Sequence, residues 1–247
     1  MRALVVIPVY NEEKTIASIL ARTRPYAPEI LIVDDGSTDD TWEALTRLPN
    51  VAILRHRVNL GYGQSLIDAF QFAVEERYDC VVTLDADAQH EPEYIPAFLA
   101  ELAACDVASG TRYPEGFDRV RDVPADRLAI NRRITDLINE RTRYRLTDSF
   151  CGFKAYRADA LARLTLREPG YGMCLEFWIK AAAVGLAVKE VPVRRIYLDP
   201  NRTFGARLDD PSNRLRYYLQ TIERAAADVA ARRSCPLRVC GTSCSRS

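Results

Sequence analysis

Net charge is the first thing this chain lacks. Its 34 lysines and arginines are matched by 34 aspartates and glutamates, leaving a formal charge of zero at pH 7. A protein dedicated to nucleic acid usually carries a basic excess, and none is present overall. The same balance gives weak protection against self-association. Long apolar runs are also missing. The longest serious candidate, Ala181 to Val188, falls well short of the ~18 residues that a membrane span needs. The opening stretch MRALVVIPVY lacks the pattern of a signal peptide. Cys80, Cys105, Cys151 and Cys174 are scattered, mostly among apolar neighbours, as small buried side chains are. Cys235, Cys240 and Cys244 crowd the C-terminal segment without a nearby histidine, in spacings that match no familiar zinc pattern. An odd total of seven cysteines argues against a secreted disulfide framework. Together these absences predict a cytoplasmic chain with no nucleic-acid partner and no transmembrane segment.

What is present suffices for a core. A chain of 247 residues, 48% hydrophobic and 28% charged, suits one large domain or one domain with an extension. Its first half alternates apolar strands with amphipathic stretches. Ala3–Val9 is a continuous apolar run, as expected of a strand buried on both faces of a parallel sheet. Glu12 and Glu13 then precede a helix with Ile16, Ile19 and Leu20 on one face, placing acids near its start. Strands are predicted at Ile30–Val33, Val51–Leu54, Cys80–Leu84 and Val107–Gly110. Helices are predicted through Trp42 to Leu48, Gln64 to Glu76 and Glu93 to Leu102. This order implies a Rossmann-like, mostly parallel α/β sheet flanked by helices, with ligands beyond the carboxyl ends of the strands.

After Gly110 the pattern loosens. A loop from Pro114 leads into a helix near Leu128–Arg141. A short strand is expected at Phe150–Tyr156, then a helix at Tyr171–Val184 and a strand at Ala187–Val193. From Arg214 to Arg233 a last helix carries Leu215, Leu219, Ile222, Ala226 and Val229 on one stripe. That stripe is read as packing on the sheet, bordered by Arg214, Arg216, Arg224, Arg232 and Arg233, a cationic edge compatible with an anionic lipid surface.

Three polar clusters fall at predicted strand ends: Tyr10-Asn11-Glu12, Asp34-Asp35 and Asp85-Ala86-Asp87. If the strand alternation continues, Asp85 and Asp87 leave on the same side. Two converging carboxylates make a hard-oxygen site suited to Mg2+ or Mn2+, to which Gln89 adds a neutral oxygen. The plainer reading of a lone D-x-D is a solvated turn with capping acids. Asn59-Leu60-Gly61-Tyr62-Gly63 lacks the third glycine of a dinucleotide fingerprint and reads as a turn into a helix. His90 is expected to support the loop it lies in; His56 pairs with nothing by motif. Trp42 and Trp178 are assigned to the core.

Taken in order, Pro8-Val9-Tyr10-Asn11-Glu12, Asp34-Asp35-Gly36-Ser37-Thr38-Asp39 and Thr83-Leu84-Asp85-Ala86-Asp87-Ala88-Gln89-His90 resemble family 2 glycosyltransferases of the GT-A fold. Gly110-Thr111-Arg112-Tyr113 and Asp148-Ser149-Phe150-Cys151-Gly152-Phe153-Lys154 are similar to the dolichyl-phosphate mannose synthase and polyprenyl-phosphate glycosyltransferase branch. The resemblance spans roughly residues 2–225 and departs at Ala88, where that branch commonly has glycine. It implies one domain over 1–233, with a nucleotide-binding half to 110 and an acceptor and phosphate half beyond it, followed by a disordered tail over 234–247.

The resemblance also implies roles. Pro8, Tyr10 and Glu12 would shape the base and ribose pocket, with Asp34 and Asp35 accepting from base or ribose. Asp85, Asp87 and Gln89 would hold the cation, Mg2+ or Mn2+, at the donor diphosphate. Arg112, Arg127 and Arg202 would contact phosphate oxygens, with Arg132 or Arg133 as alternatives to Arg127. The implied reaction is inverting transfer of a hexose from a GDP- or UDP-sugar to a polyprenyl phosphate, carried out at the inner membrane face. An acceptor hydroxyl on a glycan or small molecule is the alternative. A phosphate acceptor is already an anion, whereas a hydroxyl needs a carboxylate base. Asp148 and Glu176 are the candidate bases, against a turn acid and a helix acid as their structural readings. A nucleotidyltransferase would need a phosphate-cradling loop, which PVYNEEKT does not supply.

Overall fold

The computed structural model describes residues 1–118, 120, 123–196 and 205–234. The expectation of a disordered cysteine-bearing tail and the phosphate role of Arg202 lie outside the described residues.

Seven strands form one sheet: β1 (Ala3–Val9), β2 (Glu29–Asp34), β3 (Ala52–Arg55), β4 (Cys80–Thr83), β5 (Val107–Thr111), β6 (Lys154–Arg157) and β7 (Val188–Pro192), in the order β3-β2-β1-β4-β6-β5-β7. All pairs are parallel except those of β6, which runs antiparallel to both neighbours and pairs Thr83 with Lys154 and Val107 with Tyr156. The helices are α1 (Ile16–Thr23), α2 (Thr41–Thr46), α3 (Tyr62–Glu75), α4 (Ile95–Glu101), α5 (Ala125–Thr142), α6 (Ala158–Leu161), α7 (Met173–Ala183), α8 (Ala206–Asp209) and α9 (Pro211–Ser234).

Strand β1 is buried along its whole length, as its unbroken apolar run requires. Its alternation splits the core in two. Leu4 and Val6 meet Leu66 and Phe70 of α3, Ile134 of α5 and Trp178 of α7; Val5, Ile7 and Val9 meet Ile16, Ile19 and Leu20 of α1 and Phe98 of α4. The assignment of Trp178 to the core holds: it is fully buried and donates from Nε1 to the Ser149 carbonyl at 2.9 Å. Trp42 is half-buried, with the Arg55 guanidinium 4.0 Å over its ring.

Helix α1 begins at Ile16, with Glu12 and Glu13 in the turn before it as expected, and the Glu12 carbonyl accepts the Ile16 amide at 3.0 Å. Two elements differ from the sequence expectations. The strand expected from Phe150 begins at Lys154, because 148–153 is held as a loop by side chains from below. Helix α9 packs on α7 and α5, outside them rather than on the sheet. Of its cationic border Arg214 is buried against Asp126, while Arg224 and Arg232 make exposed ion pairs with Glu168 and Asp228.

Truncating the fully buried Trp178 to alanine removes a large aromatic from the layer between α5 and α7 and leaves the Ser149 carbonyl unmet. Urea unfolding of Trp178→Ala is expected to show a loss of ~3–5 kcal/mol. A loss under ~1 kcal/mol would contradict this account of the core.

Candidate functional site

The three polar clusters meet at the carboxyl edge of the sheet. Beyond β1 the chain turns sharply at Asn11, which adopts a positive φ of 56°. Asn11 then locks onto the end of β2: its amide donates to Ser37 Oγ at 3.0 Å, and its Oδ1 accepts the Thr38 amide at 2.8 Å. Pro8 is buried within β1, while Tyr10 stands 44% exposed at the mouth. Glu12 is half-buried; its amide donates to Thr41 Oγ1 and its carboxylate accepts from Thr15 Oγ1.

At the end of β2 both carboxylates are buried and meet partners within the protein. Asp34 is fully buried, accepts the Ser37 amide at 3.0 Å and lies 3.1 Å from Arg55 Nε. Asp35 accepts the amides of Leu60 and Gly61, each at 2.8 Å, and meets His56 Nδ1 at 2.7 Å. The other ring nitrogen of His56 lies 3.0 Å from Asp68. Asp35 therefore fixes the loop between β3 and α3. Sequence reading missed His56 because its partners lie 21 and 12 residues away.

Strand β4 ends at Thr83, so strand alternation does not set the directions of Asp85 and Asp87; a turn does. Ala88 takes a positive φ of 59°, and the Gln89 amide donates to Asp87 Oδ1 at 3.0 Å. His90 supports this turn as expected, accepting the Asp85 amide on Nδ1 at 3.0 Å. Asp85 itself is oriented by a residue that sequence reading passed over. Tyr62, at the first turn of α3, donates its hydroxyl to Asp85 Oδ1 at 2.9 Å. Burial and the neighbouring Asp85 carboxylate push the Tyr62 phenol well above its ordinary value, so it remains a donor. The signal was the pair of flanking glycines: Gly61 and Gly63 let α3 start against the backbone of Glu168 to Gly170.

Gly152 comes up against Asp85 from the other side. A Cβ there would lie 2.6 Å from Asp85 Oδ2 and 2.9 Å from the Tyr62 hydroxyl, so any larger residue would displace those side chains. Among the described residues no group of three or more histidines, cysteines, aspartates and glutamates is arranged to hold a metal ion. The donor set at this edge is two partly exposed carboxylates, Asp85 and Asp87, with Gln89 beside them. Such hard oxygens suit a cation that keeps water and phosphate as its remaining ligands.

Across the site, Arg112 follows β5 and binds Asp148 through two parallel contacts, Nε to Oδ2 at 2.7 Å and Nη2 to Oδ1 at 3.0 Å. Asp148 is 1% exposed and also accepts the Phe150 amide. Burial drives its pKa upward, but the Arg112 charge and these hydrogen bonds prevail and hold it below the ordinary carboxylate value. The loop around it is pinned by Glu190 of β7, which accepts the amides of Thr147 and Asp148. Glu176 on α7 is enclosed too, paired with Lys180 at 2.7 Å and accepting the amides of Arg167 and Glu168. Both candidate bases are thus committed to holding structure. Arg127 is half-buried in the first turn of α5, beside the Asp126–Arg214 pair; Arg132 is paired with Asp118.

A family model described as Glycosyl transferase family 2 matches residues 4–165. The chain is 34% identical over 202 residues to an undecaprenyl-phosphate mannosyltransferase of Micrococcus luteus, covering 78% of this chain and 83% of that protein. It is 31% identical over 203 residues to a polyprenol monophosphomannose synthase of Mycolicibacterium smegmatis, covering 78% and 76%. Among solved structures, a glucosyl-3-phosphoglycerate synthase of Mycobacterium tuberculosis in complex with UDP superposes with a TM-score of 0.67 at 20% identity, covering 92% of this chain and 80% of that one.

Because the folded-state pKa of Asp148 is depressed, its contribution to stability is complete above the unfolded carboxylate value of ~3.9 and is lost as pH falls through the lower folded value. Asp148→Asn leaves the Arg112 charge buried without its partner and is expected to cost ~3–5 kcal/mol at neutral pH. Urea unfolding across pH should show that gap closing only below about pH 4. A gap that is absent at pH 7, or undiminished in strong acid, would refute the assignment.

Proposed function

The chain belongs to glycosyl transferase family 2, in its polyprenyl-phosphate branch, with a GT-A fold; from that premise we propose that it moves a hexose from a nucleotide sugar to a polyprenyl phosphate, inverting the anomeric carbon, with Mg2+ or Mn2+ at the donor diphosphate.

The observation that carries the acceptor assignment is the enclosure of both candidate bases. Asp148 is saturated by Arg112 and Glu176 by Lys180 and two amides. An acceptor hydroxyl needs a carboxylate to take its proton, whereas a phosphate oxygen arrives as an anion and needs positioning instead. The names of the relatives support the same choice.

On the donor side, Pro8, Tyr10 and Glu12 line the end of β1, where base and ribose would lie. Asp34 and Asp35 act at one remove, by shaping the two loops that border that pocket. Asp85 and Asp87, with Gln89, are the residues that would hold the cation. Gly152 leaves Asp85 Oδ2 uncovered by any side chain of its own, and Tyr62 holds the other oxygen in place. Bound there, the cation would offset the negative charge that develops on the departing nucleoside diphosphate. Arg112, whose Nε and Nη2 are held by Asp148, and Arg127 at the start of α5 are the cations assigned to phosphate oxygens, and guanidinium geometry matches that task. Arg202 belongs with them by its place in the sequence.

Asp87→Ala is expected to lower metal-dependent donor turnover by at least ~10²-fold, as loss of a group that stabilises developing charge does. Full activity in that variant would sink the metal assignment. Incubation with a panel of GDP- and UDP-hexoses, offering a short-chain polyprenyl phosphate and an oligosaccharide together, should glycosylate the lipid phosphate. Product on the oligosaccharide alone would reject the acceptor assignment.

A further inference from the structure

Five large apolar side chains stand out as exposed among the described residues, and one of them is the chain start, Met1. The other four are Tyr10, Val58 (62% exposed), Leu60 (47%) and Tyr171 (41%). Single exposed apolar residues are unremarkable on a protein surface, but contiguous ones mark an interaction site. These four belong to segments that touch one another in a continuous arc. Asn11, next to Tyr10, bonds Ser37; a Cβ on neighbouring Gly36 would lie 2.5 Å from the Val58 carbonyl carbon. Gly61, next to Leu60, abuts the Pro169 carbonyl; Tyr171 stacks on Tyr62 with ring centroids 5.8 Å apart. The arc runs along the rim of the carboxyl edge, around Asp35 and Asp85.

The part of the arc at Arg57 to Leu60 is a rigid display rather than a loose loop. His56 at its root is buried between Asp35 and Asp68, and the Leu60 and Gly61 amides at its far end both bond Asp35. With the backbone pinned at both ends, Val58 and Leu60 are held outward, beside an exposed Arg57.

We propose that the Arg57 to Leu60 turn on this rim, with Val58 and Leu60 at its tip, is the surface that seats the enzyme on a lipid bilayer. The inference rests on the polyprenyl-phosphate acceptor. An isoprenoid chain keeps its phosphate at headgroup depth, and no helix among the described residues is long and apolar enough to cross a membrane. A site that acts on that phosphate has to reach the headgroup plane, and its own rim is the part that meets the plane first. Val58 and Leu60 enter the interface, and Arg57 faces the anionic headgroups that attract such cations.

The test uses the double variant Val58→Ser with Leu60→Ser, which retains the Leu60 amide that Asp35 needs. Sedimentation with vesicles of phosphatidylcholine and phosphatidylglycerol should capture the wild-type chain, and partition of the variant should fall by about tenfold, as expected when a buried Val or Leu side chain is lost. Turnover of a long-chain polyprenyl phosphate embedded in those vesicles should fall in step, while turnover of a short-chain, water-soluble one stays within about twofold. Vesicle binding unchanged by the substitutions, or absent from the wild-type chain, would overturn the proposal. So would an equal loss on both acceptors, which would place Val58 and Leu60 in donor binding or folding. If neither acceptor is glycosylated, the acceptor assignment fails by itself, and the partition measurement still decides the rim.

Discussion

A single carboxylate buried at the end of the second strand sets the shape of the donor edge. Asp35 is buried, so its carboxylate needs partners from inside the protein, and it has two amides and an imidazole. Those donors all come from the stretch between β3 and α3. The need to satisfy one buried charge therefore decides where α3 begins. That start point places Tyr62 within reach of Asp85, and Gly61 and Gly63 against the 168–170 backbone.

The second half of the molecule is organised by a buried carboxylate paired with a half-buried guanidinium. Arg112 and Asp148 sit 36 residues apart and close a bidentate pair beneath the 148–153 loop, whose upper side carries Gly152 against Asp85. Removing water from both ions is costly, and the pair endures because the Asp148 carboxylate also accepts the backbone amides of Phe150 and Arg112. In both halves the charged groups most deeply buried position the site, and the less buried ones remain available to a ligand.

Much of the fold could be read from local pattern, because parallel strands buried on both faces write unbroken apolar runs. Ala3–Val9 and Cys80–Thr83 are such runs, and the family resemblance carried the identity of the site blocks. The chain direction of β6 was not legible, since a four-residue strand looks the same whichever way its neighbours run. The partners of the acids were not legible either. A carboxylate at a strand end shows its residue type in the sequence, but the amides that surround Asp35 come from a segment about 25 residues away. The partners of Asp148 and Glu176 are likewise set by tertiary packing.

The insertion of β6 between β4 and β5 bears on how the chain is made. Thr83 and Lys154, neighbours in the finished sheet, are separated by 71 residues. During synthesis β1 to β4 emerge before β6, leaving β4 as an open edge, its backbone donors and acceptors unpaired until β6 leaves the ribosome. An apolar edge left open for that interval can template pairing with another nascent chain. The parts of the chain before and after β5 are thus one unit in assembly, and the first cannot be completed before the second arrives.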